Sequence, residues 1–171
     1  MKAFCYFVFL VFLSSCGATI AYDFDTEKDF TTFTTYNFYP SISSGLSELD
    51  DNRIYKITDS ILQNKGFVKS QTPQLLVNFY SDEFTTRSRN TIGIGVGNTG
   101  RNTSVGVSGG IPIGGDEVNQ TLTIDIIEEK TDLLVWQAIA NGSYKAKATP
   151  QQKDIYYTKT LVKLFKPFPP K

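Results

Sequence analysis

The residues able to do chemistry are few. The 171-residue chain contains no histidine and two cysteines, Cys5 and Cys16. Without histidine it lacks the side chain that titrates near neutral pH and the commonest metal ligand. Cys16 is the thiol of interest. It follows Leu13-Ser14-Ser15 at the end of an apolar run, where small residues let an enzyme approach the backbone and the thiol is the nucleophile that could accept an acyl group. Asp23 and Asp25 flank Phe24, so an extended backbone puts both carboxylates on one face. Such a pair could hold a divalent cation or act as acid and base, but no third ligand accompanies it, and a solvated strand face explains it more simply. Asp50-Asp51, Asp82-Glu83 and Glu128-Glu129 are adjacent acidic pairs, ordinary as helix caps and solvating charges. A serine or threonine nucleophile would have no histidine to activate it and no G-x-S-x-G turn to present it. No catalytic, cofactor-binding or metal-ligating residue is therefore assigned, and the chain reads as non-enzymatic.

The segment around Cys16 is more specific. Lys2 supplies a positive charge, and Ala3 to Leu13 is an unbroken apolar run of eleven residues. That suits a secretory signal and is too short for a membrane-spanning helix, which needs about 20. Leu13-Ser14-Ser15-Cys16 resembles the lipobox of bacterial lipoproteins, with cleavage between Ser15 and Cys16 and lipid on the new N-terminal cysteine. Residues 1–15 are then a signal peptide and Cys5 is lost with them, leaving one cysteine and no intramolecular disulfide. An ordinary signal would want small residues at −1 and −3, which Ser15 with Leu13 meets poorly. Cleavage after Ala18 would fit and would leave no cysteine. Each buried methylene contributes about 0.8 kcal/mol, so one acyl chain holds a protein marginally and the two or three usual on such a cysteine hold it for good. By resemblance to Gram-negative lipoproteins, Gly17 in place of an aspartate implies the outer membrane. Strand-like alternation begins by Ile20, so residues 16–19 form a tether reaching roughly 15 Å.

The elements that must carry these groups follow from composition and period. With 40% apolar and 20% charged residues the chain has a globular composition, and its length suits one domain, residues 20–171. Seventeen basic and seventeen acidic side chains cancel, leaving no excess to neutralise phosphates and making nucleic acid a poor partner. Ile20, Tyr22 and Phe24 alternate with polar or small residues as in a half-buried strand, and Phe30 to Tyr39, rich in threonine and aromatics, reads as another. Ile54, Ile57, Ile61 and Leu62 recur at helical spacing between N-cap candidates at 47–50 and Lys65-Gly66, predicting a helix over about 50–65. Leu75 to Phe84 reads as a strand. Thr121 to Ile126 and Leu133 to Ala140 read as a hairpin, with Leu134, Trp136, Ala138 and Ala140 on one face. Thr149, Pro150 and Gln152 make a capping box for a last helix with Ile155, Leu161, Val162 and Phe165 as its apolar stripe.

Between the third strand and the hairpin lies a glycine-rich segment, 92–116. Nine of the 23 residues from Gly93 to Gly115 are glycine, and Gly95 to Gly100 matches G-x-G-x-x-G. No helix start follows, so the dinucleotide reading is weak. A glycine-rich hairpin turning at Asn98-Thr99-Gly100, with one aliphatic and one bare face, fits better, although bare faces would also let a flat ligand approach. Most of the chain's aromatic residues fall on predicted core faces, and the N-x-S/T triplets at Asn102, Asn119 and Asn141 carry no meaning in a bacterial lipoprotein. The expected fold is α+β: a mostly antiparallel sheet of five or six strands with two amphipathic helices on one face.

The order of short motifs is also familiar. Tyr22-Asp23-Phe24-Asp25 and Asp29-Phe30 are followed by the Phe33 to Phe38 strand, the helix ending Lys65-Gly66-Phe67 and the Leu75 to Tyr80 strand. After the glycine-rich stretch come Thr121-Leu122-Thr123-Ile124-Asp125, Val135-Trp136-Gln137-Ala138 and Phe168-Pro169-Pro170. This order resembles the domain-of-unknown-function 4136 family of bacterial lipoproteins over nearly the whole mature chain. The resemblance implies an envelope-facing α+β domain and no agreed activity. One departure is Gln137-Ala138, where a basic residue and glycine are more usual after the tryptophan. The expected role is a lipid-anchored envelope module for binding or assembly, without cofactor, with the membrane and an envelope protein as partners. The alternative is an envelope hydrolase or small-ligand carrier using Asp23, Asp25 or a serine between sheet and helices.

Overall fold

The structure, a computed structural model, describes residues 18–87, 91–93, 110–112 and 115–170. Cys16, the Ser15–Cys16 junction and most of the glycine-rich segment lie outside these residues. In chain order the elements are β1 (Thr19–Phe24), a 3-10 turn (Phe30–Thr32), β2 (Thr35–Phe38), α1 (Glu48–Asn64), β3 (Val68–Lys69), β4 (Leu75–Thr86), β5 (Thr91–Gly93), β6 (Gly110–Pro112), β7 (Glu117–Glu128), β8 (Leu133–Lys145) and α2 (Pro150–Leu164). Among the described residues no helix is long and apolar enough to cross a membrane.

Six strands form one sheet in the order β1-β8-β7-β4-β2-β3. β1, β8, β7 and β4 pair antiparallel, whereas β2 runs parallel to both β4 and β3. The sheet is thus mixed rather than mostly antiparallel, within the expected α+β class. Parallel neighbours need a crossover, and α1 provides it between β2 and β4. Side-chain period reports which face a strand buries and is silent on its direction, which is why the parallel half was not legible. β5 pairs antiparallel with β6, Ile92 opposite Ile111, so the two ends of the glycine-rich segment meet as a hairpin would require.

Both helices begin and end on local chemistry. The Ser47 hydroxyl accepts from the Asp50 amide at the start of α1, and Gly66, at φ 93°, ends it. There the Gly66 amide donates to the Gln63 carbonyl and the Phe67 amide to Leu62. That double bond satisfies the last carbonyls and needs a left-handed residue, which glycine adopts without strain. Buried Phe67 then packs with the core beside Leu62. In α2 the capping box forms as expected, with the Thr149 oxygen accepting from the Gln152 amide and the Gln152 side chain accepting from the Thr149 amide.

The core lies between the helices and one sheet face. Val77 and Phe79 of β4, Leu122, Ile124 and Ile126 of β7, and Trp136, Ala138 and Ala140 of β8 point toward Ile54 and Leu62 of α1 and Tyr157, Leu161 and Leu164 of α2. Burying a large apolar side chain contributes about 1.5–3 kcal/mol. Three side-chain expectations change. Phe30 to Tyr39 is a strand only from Thr35. Asp29 accepts from the Thr31 amide and hydroxyl, which starts a 3-10 turn and drops Phe30 into the core beside Phe24 and Phe168. Leu134 is half exposed, because a bulge sets Ile126 opposite Trp136 but Ile127 opposite Leu134. The extra residue, Val135, is the buried one, as a bulge shifts the alternation by one. On α2, Ile155 and Val162 are exposed, while the stripe that packs is Tyr157, Thr160, Leu161, Leu164 and Phe165. β3 is too short to leave a period in the sequence.

Candidate functional site

A cleft of about 510 Å³ opens at the end of the sheet where the chain enters the domain. Its position follows from strand register. β1 begins at Thr19 opposite Asn141, so β8 runs on beyond it with an uncovered edge at Gly142 and Ser143. β7 contributes Asn119, Gln120 and Thr121, paired with Ser143, Gly142 and Asn141. α2 closes the other wall with Tyr156, Lys159, Thr160 and Lys163, and Ala18 stands at the rim. Gly142 makes the approach possible. A Cβ there would sit 2.8 Å from the Tyr156 hydroxyl and 3.3 Å from the Ala18 methyl, so its bare backbone lets helix and N-terminal segment close over the strand. Lys163 Nζ donates to the Ala18 carbonyl and ties that segment to α2.

The wall behind the cleft is a polar network. Gln120 is almost completely buried; its Nε2 donates to Glu83 Oε1 at 2.7 Å and to the Tyr157 hydroxyl at 3.1 Å. Tyr144 donates to the same Glu83 oxygen at 2.9 Å. Gln120 Oε1 is buried without a hydrogen-bond partner among the described residues. Burial pushes the Tyr156 phenol up to about 12. Tyr157 is raised chiefly by burial, and Tyr144 by burial and its bond to Glu83. These hydroxyls therefore stay protonated at neutral pH. The lining offers amides, hydroxyls and two ammonium groups, a set suited to holding a polar or anionic group.

The acidic residues singled out from sequence lie elsewhere. Asp23 and Asp25 border a shallow groove at the other end of β1, with Leu134 and Gln137. Asp23 accepts from the Phe24 amide and Asp25 from the Glu27 amide, both contacts between near neighbours in the chain. Among the described residues no group of three or more carboxylates or cysteines could hold a metal. Asp82 is exposed, whereas Glu83 anchors the network above. Asp50 is the larger surprise, since a helix-start carboxylate should be solvated and this one is 4% exposed. It accepts from Lys153 Nζ at 2.7 Å and Arg53 Nη1 at 2.9 Å, joining α1 to α2. Glu128 binds Lys28 at 2.6 Å. Asn119 and Asn141 both line the cleft, and Asn102 lies outside the described residues. Gln137 sits on the helix-free face of the sheet, between Asp125 and Asp23 in register, and donates to Asp125 Oδ1 at 2.8 Å.

Sequence reasoning missed the cleft. Its residues come from three elements, and each reads singly as strand or helix surface. Two signals were available: Gly142, a glycine inside a strand and away from any turn, and the lysines of the last helix.

The family model "Domain of unknown function (DUF4136)" matches residues 20–170. The chain belongs to that family. The DUF4136 domain thus spans every described strand and helix except Thr19, the first residue of β1. No curated protein matches the chain in sequence. Among solved structures, the domain is similar to a PDZ domain protein from Parabacteroides distasonis, with TM-score 0.59 and 15% identity over 90% of this chain. It spans 36% of that protein's length. It is also similar to PelC from Paraburkholderia phytofirmans, solved as a dodecamer, with TM-score 0.53 and 13% identity over 88% of this chain and 96% of that one. At these identities the likeness is one of fold alone.

Proposed function

We propose that this DUF4136 protein is a lipid-anchored module of the bacterial envelope, held by Cys16 on the outer membrane, that binds a partner through the cleft beside its anchor. The observation that carries this reading is that Ala18, two residues from the lipobox cysteine, forms part of the cleft rim. A site built there acts at the membrane surface whatever the rest of the domain faces. Its lining favours recognition: a protonated tyrosine, side-chain amides, hydroxyls and lysines bind polar groups. The dodecamer formed by PelC supports the assembly half of the proposal, since the same fold can pack against copies of itself. The alternative of a hydrolase using Asp23 and Asp25 is weaker, because those carboxylates border a different groove. A small-ligand carrier would use the same cleft and differs in what fills it.

The test is site-specific photocrosslinking in the envelope. A crosslinking residue at Ser143, exposed on the cleft wall, should capture a defined adduct that one at Lys130, on the distant β7–β8 turn, does not. Filling the cleft with Asn141→Trp should remove the adduct. Equal capture at both positions, or an adduct indifferent to Asn141→Trp, would contradict a site in this cleft.

A further inference from the structure

The last helix carries a second feature outside the cleft. From Ile155 to the C-terminus the sequence contains Lys159, Lys163, Lys166 and Lys171 and no acidic residue. Lys159 and Lys163 follow at i,i+4 and so share one side of α2, and Lys166 lies in the turn just after the helix. Lys65, at the end of α1, joins them around a shallow basin floored by Ile61 and Val162. Val162 is 54% exposed, an apolar side chain ringed by ammonium groups. The ion pairs of the described residues involve Lys28, Arg53, Lys69 and Lys153 and none of these four lysines. In a chain with no net charge, cations have been gathered on one face and left without anions.

We infer that this face, Lys65, Lys159, Lys163 and Lys166 around Val162, rests on the anionic phospholipid headgroups of the membrane that holds the anchor. Two observations select a bilayer. The charge is complementary, and basic side chains around an exposed apolar one suit the headgroup region, where ammonium groups meet phosphates and the aliphatic group enters the acyl boundary. The position is also fixed by the chain: Lys163 holds the Ala18 carbonyl, and Cys16 lies two residues before it, a span of about 7 Å at most. A lipid on Cys16 therefore brings the bilayer to this end of α2. The inference rests on the lipid-anchor reading for the nearness of a membrane, and adds which face the domain turns to it. The cleft, which shares Lys159 and Lys163, would then open at the bilayer surface.

The test uses the mature chain from residue 16 carrying Cys16→Ser, which keeps every described element and has no acyl group. It is sedimented with vesicles of phosphatidylcholine alone or mixed with phosphatidylglycerol. Binding should require phosphatidylglycerol and fade with added salt. It should fall about fivefold for each of Lys159→Gln, Lys163→Gln and Lys166→Gln, the effect of one basic side chain at an anionic surface, and stay unchanged with Lys130→Gln. Circular dichroism of each variant reports folding separately. In the lipidated chain, a fluorophore on Val162→Cys should be quenched by a lipid-borne quencher and one on Lys130→Cys should not. Equal binding to both vesicle types, or anionic binding indifferent to the lysines because another surface or a protein partner uses this face differently, would overturn the inference. Vesicle binding with no lipid found on Cys16 would refute the anchor alone, and lipid on Cys16 without vesicle binding would refute this face alone.

Discussion

Trp136→Ala should cost about 4 kcal/mol of unfolding free energy, in the range for truncating a fully buried large aromatic. Trp136 is completely buried on β8, opposite Ile126 and Phe24. Its ring stacks on Phe165 at 5.7 Å and meets Phe168 edge-on at 5.1 Å. Sheet, helix α2 and the C-terminal tail thus all close on one side chain, and its removal leaves a cavity that none of them can fill alone. The indole nitrogen makes a second, opposite prediction. Nε1 is buried and has no hydrogen-bond partner among the described residues, a defect that costs about 1–3 kcal/mol. Trp136→Phe keeps most of the stacking and removes the defect, so it should cost no more than about 1.5 kcal/mol. Urea unfolding followed by circular dichroism measures both, since the chain has a single tryptophan and the variants lose that fluorescence signal. Equal losses for alanine and phenylalanine would mean that the stacking contributes little.

The second large effect lies between the helices. Asp50→Ala should cost about 3 kcal/mol, near the low end for breaking a buried ion pair by removing one partner. Lys153 would lose its anion, while Arg53 keeps a contact to Asp154 at 2.6 Å, which holds the loss below the maximum. Burial pushes the Asp50 carboxyl up, but bonds from Lys153 and Ser47 and the charges of Lys153 and Arg53 outweigh it and leave it below its ordinary value. A carboxyl depressed in the folded state contributes stability that is full above its unfolded value, about 3.9, and is lost as pH falls through the folded one. Wild type should therefore lose stability below about pH 4 more steeply than Asp50→Asn, with the gap between the two narrowing as acid is added. A gap that held constant with pH would show that the ionised carboxyl is not what joins the helices.

The contrast between these two residues shows what sequence could convey. Trp136 sits in an alternating run, so its burial was legible, as were the capping box at Thr149 and the stop at Gly66. Those signals are local: a period, a cap, a turn residue. Asp50 looked like a helix-start charge because the partner that buries it, Lys153, is contributed by a helix a hundred residues away. Leu134 and Val135 exchanged places because a bulge moves the alternation without changing composition. The same holds for the cleft. Gln120, Gly142 and Tyr156 become neighbours only through the pairing of β7 with β8 and the packing of α2, so their chemistry had no linear signature. The lysines of α2 were visible individually, but Lys65 joins them only once the two helices lie side by side.

The proposed lipid on Cys16 would link these features, since it would bring the membrane to the end of the domain where the cleft and the basic face lie. Intact-mass and N-terminal peptide mass spectrometry of the protein extracted from envelopes tests it most directly. The expected result is a mature chain beginning at Cys16 with diacylglyceryl mass on the sulfur. An unmodified N-terminus, beginning at Cys16 or after Ala18, would contradict it.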